Sequence, residues 1–97
     1  MKININKSCG KNTVSRADGK KIYSLIVGAW HKEKQIVIDF GDISVSSISF
    51  LDEALGVLLL KYSPKDILSK IKLVNIRPFD KSVLNNIMSS RMRDNKK

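Results

Sequence analysis

Strand-type and helix-type hydrophobic patterns alternate along this chain, and that alternation limits the fold more than any other feature. Ile3 and Ile5 alternate with Asn4 and Asn6, the period-two pattern of a half-buried strand. From Arg16 to about Trp30, the residues Ile22, Leu25, Ile26, Ala29 and Trp30 recur at helical spacing, with Lys20, Lys21 and Ser24 on the opposite face. Gln35 to Phe40 is a second strand. Its run Ile36-Val37-Ile38 is apolar and β-branched at successive positions, which predicts burial on both faces of a parallel sheet. Phe50, Leu51, Ala54, Leu55, Leu58, Leu59 and Tyr62 then form a wide apolar stripe, predicting a helix from Ser49 to about Lys61. A short helix to Lys70, a strand over 71–76 and a last helix with Val83, Leu84, Ile87, Met88 and Met92 on one face complete the order. Helical crossovers between strands imply a mainly parallel sheet with right-handed connections. The expected fold is therefore a small α/β domain, with a mostly parallel or mixed β-sheet and helices packed against it.

Local signals set the element ends. Ser15 with Asp18 three residues on makes a capping box for the first long helix. Ser63-Pro64-Lys65-Asp66 supplies a cap, a proline at the first helical position and an acid in the first turn. Ser49 reads as the N-cap of the middle helix, with Asp52 and Glu53 in a first turn where the helix dipole favours negative charge. Asp80 reads as the cap of the last helix. Cys9-Gly10-Lys11-Asn12 reads as a turn, Thr13-Val14 as a short return strand, and Ile43–Ile48 as a loop. Phe40, Phe50, Phe79 and Tyr62 read as core positions.

The chain has 97 residues, so residues 1–93 are expected to form one domain and 94–97 a frayed basic tail. Its content of 42% hydrophobic and 28% charged residues is that of a folded chain rather than a disordered one. The longest apolar run, Leu25 to Trp30, is too short to cross a bilayer, and Met1 to Asn6 lacks the apolar core of a signal peptide. Cys9 is the single cysteine, which leaves no internal disulfide. These features make a cytoplasmic location the expectation. The net charge of +9 is unevenly spread: residues 1–34 carry +6, residues 35–60 carry −4 with no lysine or arginine, and residues 61–97 carry +7. Such segregation bears on partners and solubility.

The chemistry offered by these residues is sparse. Asp39, Asp42, Asp52 and Glu53 can be read as paired carboxylates for acid–base or metal chemistry, as caps and dipole partners, or as an acidic patch for a partner. His31 is the only histidine, no regular metal-ligand spacing is present, and the adjacent Asp52 and Glu53 point about 100° apart on a helix, which makes a poor chelate. No metal and no cofactor is expected. Neither a nucleophile elbow nor a phosphate-cradling glycine motif occurs, so no enzyme is expected either. Ser44, Ser46, Ser47 and Ser49 crowd one stretch, where they serve as solvated loop and cap residues or include a phosphoacceptor. Arg16 opens a helix, against the dipole. It reads either as an exposed arginine or as the partner of an acid such as Asp52 or Glu53. The basic excess raises nucleic-acid binding as an alternative, through Lys2, Lys7, Lys11, Lys20, Lys21, Lys96 and Lys97, although no aromatic residues are interleaved for stacking.

The stretch Ile36-Val37-Ile38-Asp39-Phe40-Gly41-Asp42-Ile43, followed by Ser49-Phe50-Leu51-Asp52-Glu53-Ala54-Leu55-Gly56, resembles the STAS-like domain family of unknown function. Ser15-Arg16-x-x-Gly19 at a helix start, and the strand Ile71-Lys72-Leu73-Val74-Asn75 leading to a helix that ends in Arg91, are similar too. The resemblance covers roughly residues 13–93 and extends, more distantly, to the anti-sigma-factor antagonist domains of bacteria. It implies a STAS-like α/β fold and a non-enzymatic role in bacterial or phage-type signalling. The implied partner is a protein, such as a histidine-kinase-like ATPase acting as anti-sigma factor. The implied surface comprises Arg16, Asp42, Ser46, Ser47, Ser49, Asp52 and Glu53. The antagonist domains carry a phosphorylatable Ser or Thr just after the Asp of the equivalent helix. Here Glu53 and Ala54 follow Asp52, so the resemblance implies a fixed negative charge in place of a switchable one. A rival expectation is a small enzyme or ligand-binding domain at the strand ends.

Overall fold

The computed structural model describes residues 1–9, 15–41 and 48–94. Residues 10–12 of the expected turn, the return strand Thr13-Val14, 43–47 of the expected loop and 95–97 of the basic tail lie outside the described residues, whereas Cys9 of that turn and Ile48 of that loop fall in helices. The sheet has three strands, β1 (Lys2–Asn4), β2 (Ile36–Asp39) and β3 (Ile71–Val74), in the order β1-β2-β3, and both pairs are parallel. This is the small, mainly parallel α/β architecture expected from the alternating patterns.

A side chain stops the first strand early. Asn4 Oδ1 accepts the backbone N–H of Lys7 at 3.0 Å, the geometry of an N-cap, and a short helix α1 (Ile5–Cys9) follows where the alternation predicted more strand. Helix α2 (Arg16–Ala29) begins with the expected capping box. Asp18 N–H donates to Ser15 Oγ at 3.3 Å, and Ser15 N–H donates to Asp18 Oδ2 at 2.9 Å. Ile22, Ile26 and Ala29 of α2 are buried, but Leu25, expected beside them, is exposed, because it lies on the flank of the stripe.

The predicted continuous helix from Ser49 to Lys61 is instead two pieces. Helix α3 (Ile48–Ala54) ends at Leu55, and a 3-10 segment (Gly56–Leu60) tightens the chain beyond it. Ser49 is therefore inside the first turn of α3 and is not its cap. Helix α4 (Pro64–Lys70) starts as expected, with Asp66 N–H donating to Ser63 Oγ at 3.2 Å. Asn75, in the left-handed region at φ 54°, turns the chain out of β3. Helix α5 (Pro78–Asp94) opens on Pro78, whose fixed φ suits the first helical position, so Asp80 falls in the first turn rather than at the N-cap position.

The sheet register shows which face is buried. Ile3, Ile38 and Leu73 share one row, and Ile36 and Ile71 the next. Ile3, Ile36, Ile38 and Phe40 are buried in one cluster with Ile22, Ile26, Phe50, Leu51 and Leu58. On the opposite face the row Lys2, Val37, Lys72 has both lysines exposed and Val37 half-buried. The expectation of burial on both faces is thus corrected. Right-handed crossovers that advance in one direction, β1 to β2 to β3, place their helices on the same side of the sheet.

Candidate functional site

Two ion pairs tie three helices together around α3. Arg16, at the start of α2, donates from Nη1 to Glu53 Oε1 at 2.7 Å and from Nη2 to Ser49 Oγ at 3.3 Å. Arg91, near the end of α5, donates from Nε to Asp52 Oδ1 at 2.6 Å and from Nη2 to Asp52 Oδ2 at 2.8 Å. The second pair is a two-pronged guanidinium–carboxylate contact, the geometry that makes arginine a strong carboxylate partner. Adjacent residues on α3 diverge by about 100°, so Asp52 and Glu53 reach different neighbours, α5 and α2. The Arg91 guanidinium holds the Asp52 carboxyl below the usual carboxylate range against the opposing effect of burial, with smaller contributions from the charges of Arg91 and Arg16.

Two glycines make these contacts reachable. A Cβ on Gly19 would stand 2.7 Å from the Phe50 carbonyl oxygen and 2.8 Å from Glu53 Cβ, so the absent side chain lets α2 approach the α3 backbone. A Cβ on Gly56 would stand 2.5 Å from Asp52 Oδ1, 3.0 Å from Ile87 Cγ2 and 3.1 Å from Arg91 Nε, which is where the second ion pair runs. Arg16 and Gly19 on one side and Gly56 and Arg91 on the other are therefore joined through Ser49, Asp52 and Glu53 of α3.

A second cluster lies at the strand ends. Asp39, the last residue of β2, is buried. It accepts Asn75 Nδ2 at 2.9 Å and the Gly41 N–H at 2.8 Å, and pairs with Lys2 Nζ at 3.2 Å. The Asn75 amide, then the Gly41 N–H, hold the Asp39 carboxyl below its ordinary value, with Lys2 adding to them and burial opposing. Gly41, at φ 61°, and Asn75 turn the two neighbouring strands away from the sheet, and Asp39 fastens both turns.

Of the residues singled out in the sequence, Arg16, Ser49 and Glu53 come together, and Asp52 lies next to them but is held by α5. Asp42, Ser46 and Ser47 lie outside the described residues. The contacts of Gly19, Gly56, Arg91 and Asn75 do not follow from the local sequence pattern. The signal for the first three was present in the quoted motif, whereas nothing in the local pattern marks Asn75 as the partner of Asp39. Phe79, expected in the core, is 67% exposed at the start of α5, and Met92, expected on the buried face of that helix, is also exposed. Ile48, which opens α3 beside Ser49, is 66% exposed. Tyr62 stacks on Trp30 with ring centroids 3.6 Å apart and planes 6° from parallel, and Lys70 Nζ stands 5.8 Å from the Trp30 ring. Burial, with the nearby Tyr23 phenol, pushes the Tyr62 phenol up.

Among the described residues, no three His, Cys, Asp or Glu side chains gather as a metal set. No described helix is long and apolar enough to cross a membrane. Of the lysines considered for nucleic acid, Lys2 is paired with Asp39, Lys7, Lys20 and Lys21 are exposed on α1 and α2, and Lys11, Lys96 and Lys97 lie outside the described residues.

A search of curated proteins and a search of solved structures each gave no match. A family model described as a STAS-like domain of unknown function matches residues 18–81, a span that takes in the carboxylates Asp39, Asp52 and Glu53 but leaves their cationic partners Lys2, Arg16 and Arg91 outside it. With that match over well more than half its length, the chain belongs to the family of STAS-like domains of unknown function.

Proposed function

We propose that this chain is a non-enzymatic protein–protein interaction module of bacterial or phage-type signalling, and that it meets its partner through the start of α3 and the adjoining Arg16. The observation that carries the reading is the exposed Ile48 beside the Arg16–Glu53–Ser49 contact. An exposed apolar side chain next to a polar network on rigid helices has the make-up of an interface anchor with its rim. In the antagonist domains that the chain resembles, the position of Glu53 is a phosphoacceptor. A phosphate there would be expected to recruit an arginine, and the Glu53 carboxylate already engages Arg16. On this reading Glu53 fixes the surface in a phosphorylated-like state, and the partner, a histidine-kinase-like ATPase acting as anti-sigma factor or kinase, meets a surface that does not switch. The carboxylates Asp39, Asp52 and Glu53 are each taken up by a cation, which favours a structural or binding role for them over general acid–base work.

The test is affinity capture with the intact chain against Ile48→Arg and Glu53→Ser, each first checked for native circular dichroism. A specific ATPase captured by the parent chain and lost with Ile48→Arg supports the site, and Glu53→Ser should change its affinity. An identical set of captured proteins for all three chains removes the proposal.

A further inference from the structure

A groove separate from the Arg16–Glu53 contact runs between the start of α4 and the end of α5. Leu59, Tyr62 and Pro64 form one wall and Ser89 and Met92 the other, around a volume of about 590 Å³. Its surroundings are also apolar. Leu60 adjoins Leu59 and is exposed, and Leu68, 82% exposed, stands one turn along α4 from Pro64. The α5 wall is held from behind, because Ile87 and Arg91, on the neighbouring face of that helix, pack at Gly56. The groove is thus built on elements locked by the Asp52–Arg91 pair.

Charge complementarity selects the occupant. Arg93 lines the groove, and Lys61 and Lys65 adjoin its other wall; all three are exposed, and none has an ion-pair partner among the described residues. The exposed acid of α4, Asp66, lies on the other side with Trp30 and Lys70. A second copy of this chain, at net charge +9, would bring like charge to this rim. A flat bilayer would leave a concavity of this size unfilled. A ridge of apolar side chains flanked by carboxylates fits both the shape and the sign.

We propose that this groove docks an amphipathic helix of a partner protein, with apolar anchors on one face and acidic residues on the flanks, as a second surface beyond the one at the start of α3. Helix-in-groove recognition supplies the geometry, and the basic rim supplies steering and orientation.

The probe is a designed helical peptide of about 18 residues, with leucines at i, i+3, i+4 and i+7 and glutamates on the flanks, compared with the same peptide carrying lysines. Titrated into the isotope-labelled full chain, the acidic peptide is expected to shift the amide signals of Leu59, Tyr62, Ser89 and Met92. The lysine peptide is expected to bind at least about tenfold more weakly. Met92→Glu and Arg93→Glu should each weaken the acidic peptide by about tenfold. Arg93 is exposed, so that variant tests charge without threatening the fold. Ile48→Arg alters the other surface and leaves peptide binding unchanged, so failure of either reading shows independently of the other. Equal affinity for both peptides, shifts confined to other residues, concentration-dependent dimerisation through this face, or binding of phosphatidylserine vesicles in place of peptide would each overturn the proposal.

Discussion

Gly19 and Gly28 lie in the same helix and are opposite in what a methyl group would meet. At Gly28 a Cβ has nothing within 4 Å, whereas at Gly19 it meets the Phe50 and Glu53 atoms of α3. Alanine relieves the helix-propensity deficit of glycine, a gain of about 0.5–1 kcal/mol in an exposed helix. Gly28→Ala is therefore expected to raise stability by about 0.5 kcal/mol, since it lies near the helix end. Gly19→Ala is expected to lower it by about 1–3 kcal/mol, because backbone atoms of α3 must move. Urea unfolding followed by the fluorescence of the single tryptophan, Trp30, measures both, and a stabilising Gly19→Ala would mean that α2 and α3 are not in close contact. Asp52 supplies a second prediction at this scale. Its folded-state carboxyl is held below the ordinary value, so the unfolded chain binds more protons in acid. The stabilisation is complete above about pH 5 and is lost as pH falls through the ordinary carboxylate range toward the folded-state value. Asp52→Asn should cost about 2 kcal/mol at neutral pH. Its stability should also fall less steeply than the parent's below about pH 4, since this proton uptake is absent. Parallel acid-side slopes for the two chains would show that the Arg91 contact does not form in solution.

At the scale of elements, the caps separate two serines that look alike in the sequence. Ser15 closes a capping box, whereas Ser49 lies within α3 and accepts from Arg16. Ser15→Ala is expected to cost about 1 kcal/mol and Ser49→Ala about 0.3 kcal/mol, read from thermal unfolding of the two variants. Similar losses would restore Ser49 to the cap position that its sequence context suggests. The comparison shows what was legible. The order of the three strands and the long helices between them, the caps at Ser15 and Ser63 and the buried stripe of α2 follow from local rules, because capping and periodicity act within one or two turns. Three features were not legible for a common reason. The early end of β1 at Asn4, the break after Ala54 and the exposure of Phe79 depend on competing hydrogen bonds or on what packs across from an element, and hydrophobic spacing carries neither. The one-sided sheet is of the same kind. Ile36-Val37-Ile38 gives no sign of which side the crossovers take, and the strand order decides that. Of the site, the family motif pointed to Arg16, Asp52 and Glu53 as a group, but only the fold divides them between α2 and α5.

For the whole molecule, the segregation of charge is a feature of the fold as well as of solubility. The segment 35–60 carries the acids and no cations, and its three described carboxylates each take a cation from a flanking segment: Asp39 from Lys2, Glu53 from Arg16 and Asp52 from Arg91. The middle of the chain thus acts as the counter-charge that draws both ends onto it. Once those acids are taken up, most of what stays exposed is positive, and the net charge of +9 repels itself. Salt then acts in two directions. It screens repulsion between exposed cations, and it screens the ion pairs, but partly buried contacts such as Asp52–Arg91 are screened much less. The first effect should dominate. Raising sodium chloride from low concentration to about 0.5 M, where the screening length is only a few ångströms, should raise Tm by about 3 °C, which corresponds to roughly 0.5 kcal/mol for a domain of this size. Asp52→Asn should keep that gain, since its loss is of a contact salt barely reaches. A Tm that falls with salt in the parent chain and is flat in the variant would mean that the ion pairs, rather than burial of the apolar cluster, hold α5 and α2 against α3.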